Sequence, residues 1–132
     1  SNAALVAFGA TNTGKTYTLE GGGQDEEGII SIAIESLFER LYKKQKAKAE
    51  EQSRRRGGKK RFQAFDFTVQ SRYVEVYDEK CVDLYAGGGT QVEVAETAEE
   101  GFTVIGAQVR SAPDAAGLLA AYSAGRAEYA AS

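Results

Sequence analysis

The 132-residue chain is 42% hydrophobic and 27% charged, ordinary values for a globular domain that exclude the disordered and membrane-spanning classes. Its net charge of −3 hides an asymmetry: ten Lys or Arg stand against two acids between Lys43 and Arg61, so that stretch carries +8 and the remainder −11. With no histidine and one cysteine, zinc sites and Cys-His or Ser-His catalysis are excluded, and Cys81 reads as a small core residue.

Ser1-Asn2-Ala3 reads as the remnant of a cleaved expression tag, which leaves residues 4–132 as one domain. From Ala4 to Ala10 a short apolar run predicts a strand buried on both faces. It feeds Gly9-Ala10-Thr11-Asn12-Thr13-Gly14-Lys15-Thr16, which fits G-x-x-x-x-G-K-[ST], a pattern that arises by chance in about one chain in 200 of this length. The glycines let backbone N–H groups converge on β- and γ-phosphates at the positive end of the following helix. Lys15 adds a point charge there, and the Thr16 hydroxyl suits a Mg²⁺ ion bridging those phosphates.

A short helix is expected from Lys15 to Leu19, broken by Gly21-Gly22-Gly23 and followed by a flexible acidic loop through Glu27. A second helix begins near Gly28. Its stripe of Ile30, Ile34, Leu37 and Leu41, widened by Ala33 and Phe38, predicts packing against a sheet. Beyond Leu41 the apolar period vanishes into good helix formers, which extend the helix into solvent until Gly57-Gly58 or leave residues 43–61 as a mobile basic insertion.

Alternation from Phe65 to Tyr73 predicts a strand whose phase shifts at Val74, by a bulge or by burial on both faces. After a loop at Gly87-Gly88-Gly89, two shorter strands are expected over Gln91–Ala95 and Phe102–Val109. Ser111 is placed to cap a final helix with Pro113 and Asp114 in its first turn, and with Ala115, Leu118, Leu119 and Tyr122 on its buried side.

The segment Ala7-Phe8-Gly9-Ala10-Thr11-Asn12-Thr13-Gly14-Lys15-Thr16-Tyr17-Thr18-Leu19-Glu20-Gly21 resembles the kinesin motif A-Y-G-Q-T-G-S-G-K-T-Y-T-M-x-G. Gly28-Ile29-Ile30, Ala33-Ile34-Glu35 and Leu37-Phe38 resemble that family's G-I-I-P-R-A-I-E-x-L-F. Tyr73 to Leu84 is similar to its Y-x-E-I-Y-N-E-x-V-x-D-L. The stretch from Gly101 to Ser132 follows the family's G-x-x-V-x-G-L strand and the helix after it. The resemblance implies an α/β fold, a fragment of the kinesin-like P-loop nucleoside triphosphatase fold with a mixed β-sheet flanked by helices. It implies ATP or ADP with Mg as cofactors, bound by Gly9, Ala10, Thr11, Asn12, Thr13, Gly14, Lys15, Thr16 and Tyr17. Lys15 and Thr16 are the catalytic candidates, and Thr16 is also the Mg ligand.

Its further implications are microtubules (tubulin) as partner of the intact motor, with Tyr77 to Asp83 near the loop that faces tubulin, and a cytoplasmic, cytoskeletal location. Nucleic acid is the weaker partner for the basic run, because no interleaved aromatics are present to stack on bases. Departures from the family pattern are Ala10 for glutamine, Asn12 for glycine, Ser31 for proline and Glu128-Tyr129 for Asn-Arg. The family's R-x-R-P, N-x-x-S-S-R-S-H and D-L-A-G-S-E motifs do not occur in the 132 residues, so this chain alone is expected to bind nucleotide without turnover. Strand edges left without neighbours are expected to close up or to pair with a second copy. The alternative is a non-motor binding or structural module that kept the fold without ATPase activity.

Overall fold

The computed structural model describes residues 3–23, 26–55, 66–87, 89–98 and 101–131, which cluster into two compact units, up to Phe65 and from Asp66 onward.

In the first unit, helix α1 (Lys15–Glu20) ends where Gly21 adopts φ 91°, a left-handed backbone that glycine reaches without steric penalty. In the acidic segment after it, β1 (Gly21–Gly23) pairs antiparallel with β2 (Glu26–Glu27). Tyr17 Oη, from α1, donates a 2.7 Å hydrogen bond to Glu26 Oε2 and ties the ribbon to the helix. Helix α2 (Ile29–Arg55) then begins at the buried Gly28, where a side chain would collide with the carbonyl of Leu19 and the backbone of Glu20.

The less exposed line of α2 runs through the half-buried Ile30, Ile34 and Leu41, as helical spacing requires, and centres on Phe38 at 2% exposure. Leu37 and Ala33, expected on this face, are exposed. They lie off the i, i+4 row on which Ile30, Ile34 and Phe38 stand. The basic stretch is helical as far as Arg55, and residues 56–61 lie outside the described residues.

The run from Ala4 to Ala10 departs from expectation. It forms no ladder with any described strand, and Leu5, Val6 and Phe8 are 64%, 80% and 98% exposed. A strand is defined by its neighbour's hydrogen bonds, and apolar residues do not supply them.

The second unit is built on antiparallel ladders, followed by one helix. β3 (Val69–Ser71) pairs with β8 (Arg110–Ala112), while β4 (Val74–Tyr77), β5 (Lys80–Asp83), β6 (Gln91–Thr97) and β7 (Gly101–Ile105) form one four-stranded meander. The phase shift at Val74 is therefore a change of sheet, not a bulge. The chain leaves one ladder at Ser71 and enters the other at Val74. Asp78 and Glu79, at φ 48° and 62°, make the tight turn between β4 and β5, the left-handed pair that matches the twist of a two-residue hairpin. Phe65 lies outside the described residues.

Helix α3 (Ala115–Ala131) buries Leu118 and half-buries Ala115, Leu119 and Tyr122, as the spacing predicts. Its cap is Asp114, whose Oδ1 accepts the Gly117 N–H at 2.7 Å. Ser111 is not the cap, because it is committed to the β3–β8 ladder opposite Gln70. Over this helix Tyr73 stacks on Tyr122 at 5.3 Å and meets Tyr85 edge-on at 6.1 Å, with Gly125 closing against the Tyr73 ring. Cys81, Leu84, Tyr85 and Ala112 complete the core. Helices and sheets in these proportions make an α/β fold.

Candidate phosphate-binding site

The loop from Gly9 to Thr16 is built around two left-handed residues, Asn12 at φ 64° and Gly14 at φ 91°. Asn12 reaches this conformation at low cost, because its short polar side chain is among the few tolerated there. Gly14 stands directly before α1, and its carbonyl accepts the Thr18 N–H at 2.8 Å, which starts the helix. These reversals fold the chain back on itself, and Lys15 locks the fold. Its Nζ donates to the carbonyls of Gly9 (2.9 Å) and Ala10 (2.6 Å), while Thr13 Oγ1 donates to the Ala10 carbonyl at 2.7 Å. Those bonds occupy two of the three donors of the ammonium group.

Asn12, Gly14, Lys15 and Thr16 together line an open depression of about 320 Å³. The sequence-predicted residues are thus brought together in part. Gly9 and Ala10 supply the carbonyls that seat Lys15, and Thr11 and Thr13 complete the turn. Tyr17 is directed elsewhere: its hydroxyl is spent on Glu26, and that bond pushes its pKa above the usual tyrosine range. Among the described residues no group of three or more His, Cys, Asp or Glu side chains is placed to hold a metal ion. A divalent cation here would rely on Thr16 and on the phosphates themselves.

The residue that sequence reasoning undervalued is Asp83, 1% exposed at the end of β5. Its Oδ1 accepts the Tyr85 N–H at 2.8 Å and its Oδ2 the Gln108 N–H at 2.6 Å, so one carboxylate ties the strand end to the loop after β7. Glu75 lies in β4 and Glu79 in the turn, so the three acids do not converge. Arg110 sits 4.4 Å from the centroid of the Tyr85 ring and donates to the Tyr85 carbonyl at 2.9 Å, and Ser71 Oγ bonds the Tyr85 hydroxyl at 2.9 Å. This Tyr85 network carried no sequence signal, because its members come from three separate strands and turns.

The G-x-x-x-x-G-K-T loop, folded by Lys15 onto its own carbonyls, thus stands at the start of a helix in an α/β chain. The comparisons narrow the class: the kinesin motor domain profile matches residues 1–131. The chain belongs to the kinesin motor domain family. It is 29% identical over 114 residues to the chromosome-associated kinesin KIF4 of Mus musculus and 32% identical over 105 residues to the kinesin-like protein KIN-7I of Oryza sativa subsp. japonica. Each match takes in 80% of this chain but only 8% and 7%, respectively, of those proteins. A solved structure of KIF14 residues 391–772, a dimer in the two-heads-bound state with AMP-PNP in complex with a microtubule, superposes with a TM-score of 0.64 at 24% identity. That superposition covers 90% of this chain and 30% of the KIF14 chain, and it establishes the fold. Among the described residues no helix is long and apolar enough to cross a membrane.

Proposed function

We propose that this chain is the nucleotide-binding part of an ATP-driven microtubule motor and that its Gly9–Thr16 loop holds the phosphates of ATP or ADP with Mg²⁺. The observation that carries the reading is the open depression lined by Asn12, Gly14, Lys15 and Thr16 beside a lysine already folded onto its own loop. Lys15 neutralises phosphate charge, Thr16 offers its hydroxyl to the cation, and the backbone of the loop supplies N–H donors. Bound Mg²⁺ spreads the charge that builds on the phosphates during transfer. Ala10 and Tyr17 belong to the site by position in the motif alone. Tubulin as partner and a cytoplasmic, cytoskeletal location follow from family membership as parts of the same proposal.

The 132 residues contain neither N-x-x-S-S-R-S-H nor D-L-A-G-S-E, so we expect binding without turnover from this chain by itself. Calorimetric titration with Mg-ATP and with Mg-ADP is the test. Binding at least tenfold tighter than that of Lys15→Ala supports the reading, and equal affinity for both proteins, or none for either, sinks it. Hydrolysis clearly above the Lys15→Ala background would overturn the expectation of incompetence while leaving the binding site intact. The unpaired, exposed run through Leu5, Val6 and Phe8 supports self-association, which concentration-dependent elution on a sizing column would reveal.

A further inference from the structure

Helix α1 carries Lys15 and Thr16, two of the residues that line the depression, yet none of its six residues is buried. Its own hydrogen bonds do not sustain so short a helix, since isolated helices below about 12 residues are marginal in water. Without a buried side chain it also draws little orientation from packing. Contacts toward its C-terminal end hold it instead. The Gly21 N–H bonds the Tyr17 carbonyl, the Tyr17 hydroxyl donates to Glu26 Oε2 at 2.7 Å, and Gly28 is seated against Leu19 and Glu20.

The β1–β2 ribbon is shaped for this contact. A Cβ at Gly21 would strike the Glu26 carbonyl, and one at Gly22 would strike both the Tyr17 ring and the Glu26 carboxylate. Two adjacent positions without side chains thus let the ribbon close on the helix. The bond to Glu26 also raises the Tyr17 pKa, as expected where a carboxylate favours the neutral phenol, which is the form that donates. Tyr17 follows Thr16 directly, so any shift of Tyr17 passes through less than one helical turn to the Thr16 hydroxyl and the Lys15 ammonium.

We propose that Glu26 is a positioning residue for the Gly9–Thr16 loop: through the Tyr17 hydroxyl it holds α1 where Lys15 and Thr16 face the depression, and it touches no ligand itself. The inference rests on the reading of that loop as a phosphate site. It gives Tyr17, which stands in the motif but outside the depression, the part of a brace.

The test is calorimetric titration with Mg-ADP and with Mg-pyrophosphate, on the full 132-residue chain and on Glu26→Ala, Tyr17→Phe, the double variant and Glu26→Gln. Glu26→Ala and Tyr17→Phe should each bind both ligands about fivefold more weakly, the factor set by one hydrogen bond of ordinary net worth. The double variant should bind no more weakly than either single one, because both remove the same bond. Glu26→Gln, whose amide oxygen still accepts, should bind within about twofold of wild type. The denaturant midpoint should stay unchanged throughout. Wild-type affinity in Glu26→Ala overturns the proposal, and so do additive losses in the double variant, which would mean that the two side chains act separately. A midpoint that falls along with affinity assigns Glu26 to folding and overturns it too. So does a loss confined to Mg-ADP, which would make Tyr17 a contact of the nucleoside. Failure of the wild type to bind either ligand removes the phosphate reading and this inference together, whereas binding that ignores Glu26 removes this inference alone.

Discussion

The two units of the molecule divide the work between them. The first carries the Gly9–Thr16 loop and the basic half of α2, and among its described large side chains only Phe38 is fully buried. The second holds Cys81, Asp83, Leu84, Tyr85, Ala112 and Leu118 below one-tenth exposure, among ladders whose β4–β5 turn is Asp78-Glu79 and a helix capped by Asp114. A loop that must change partners from its own carbonyls to a ligand cannot also be packed tightly, because buried polar groups hold their bonds against exchange. Chemistry and stability therefore reside in different stretches of sequence, and substitutions can separate them.

The largest effect is expected at Asp83. Alanine there leaves the Tyr85 and Gln108 N–H groups without the acceptor that Asp83 provides, and two charge-assisted bonds are lost at once. A cost of about 3 kcal/mol follows, read as a lowered denaturant midpoint and a collapse of the near-ultraviolet tyrosine signal from Tyr73, Tyr85 and Tyr122. Asparagine, which keeps one acceptor oxygen, should lose about half as much. Lys15→Ala, by contrast, should abolish phosphate binding and leave the midpoint nearly unmoved. A destabilised Lys15→Ala together with an unaffected Asp83→Ala would invert the comparison.

How far the sequence could be read follows the same division. The start of α1 after Gly14, the stop at Gly21, the start of α2 at Gly28 and the phase shift at Val74 were legible, because each rests on local chemistry: glycine conformation, helical period or strand phase; the cause of the shift, a change of sheet rather than a bulge or burial on both faces, was not. The Ala4–Ala10 strand was not, since a strand depends on a partner that local sequence does not contain. Ser111 and Asp114 are both good caps, and the choice fell to Asp114 because Gln70, forty residues away, takes Ser111 into a ladder. Asp83 reads from sequence only as part of the Tyr73–Leu84 signature, and its bond to the backbone of Gln108 is one that no spacing rule connects to it.

A smaller effect is expected at Asn12. Most residues with a Cβ pay about 1 kcal/mol to hold a left-handed backbone, and asparagine pays less. At φ 64°, Asn12→Ala must spend that energy before the loop can close on phosphate, so Mg-ATP affinity should fall about fivefold, whereas Asn12→Gly should bind as tightly as wild type or slightly more so. If alanine and asparagine bind equally, the conformation of this residue does not limit the loop, and the departure from the family's glycine carries no functional cost. If glycine weakens binding instead, the carboxamide that lines the depression is a ligand in its own right.

The smallest effect lies on α2, where the hydrogen bond from Lys43, and then its charge, hold the Glu39 carboxyl below its ordinary pKa. A folded-state pKa lowered in this way contributes stability above the unfolded value and loses it as pH falls through the folded one. Helicity of the chain should therefore dip slightly on the acid side of the usual carboxylate range and be insensitive there in Glu39→Gln. Both groups are largely exposed, so salt should flatten the dip, as it does for surface pairs in general. An acid-induced loss that persists undiminished at high salt would mean that Glu39 acts through packing rather than through Lys43, and that the basic half of α2 is held by more than its own charge pairs.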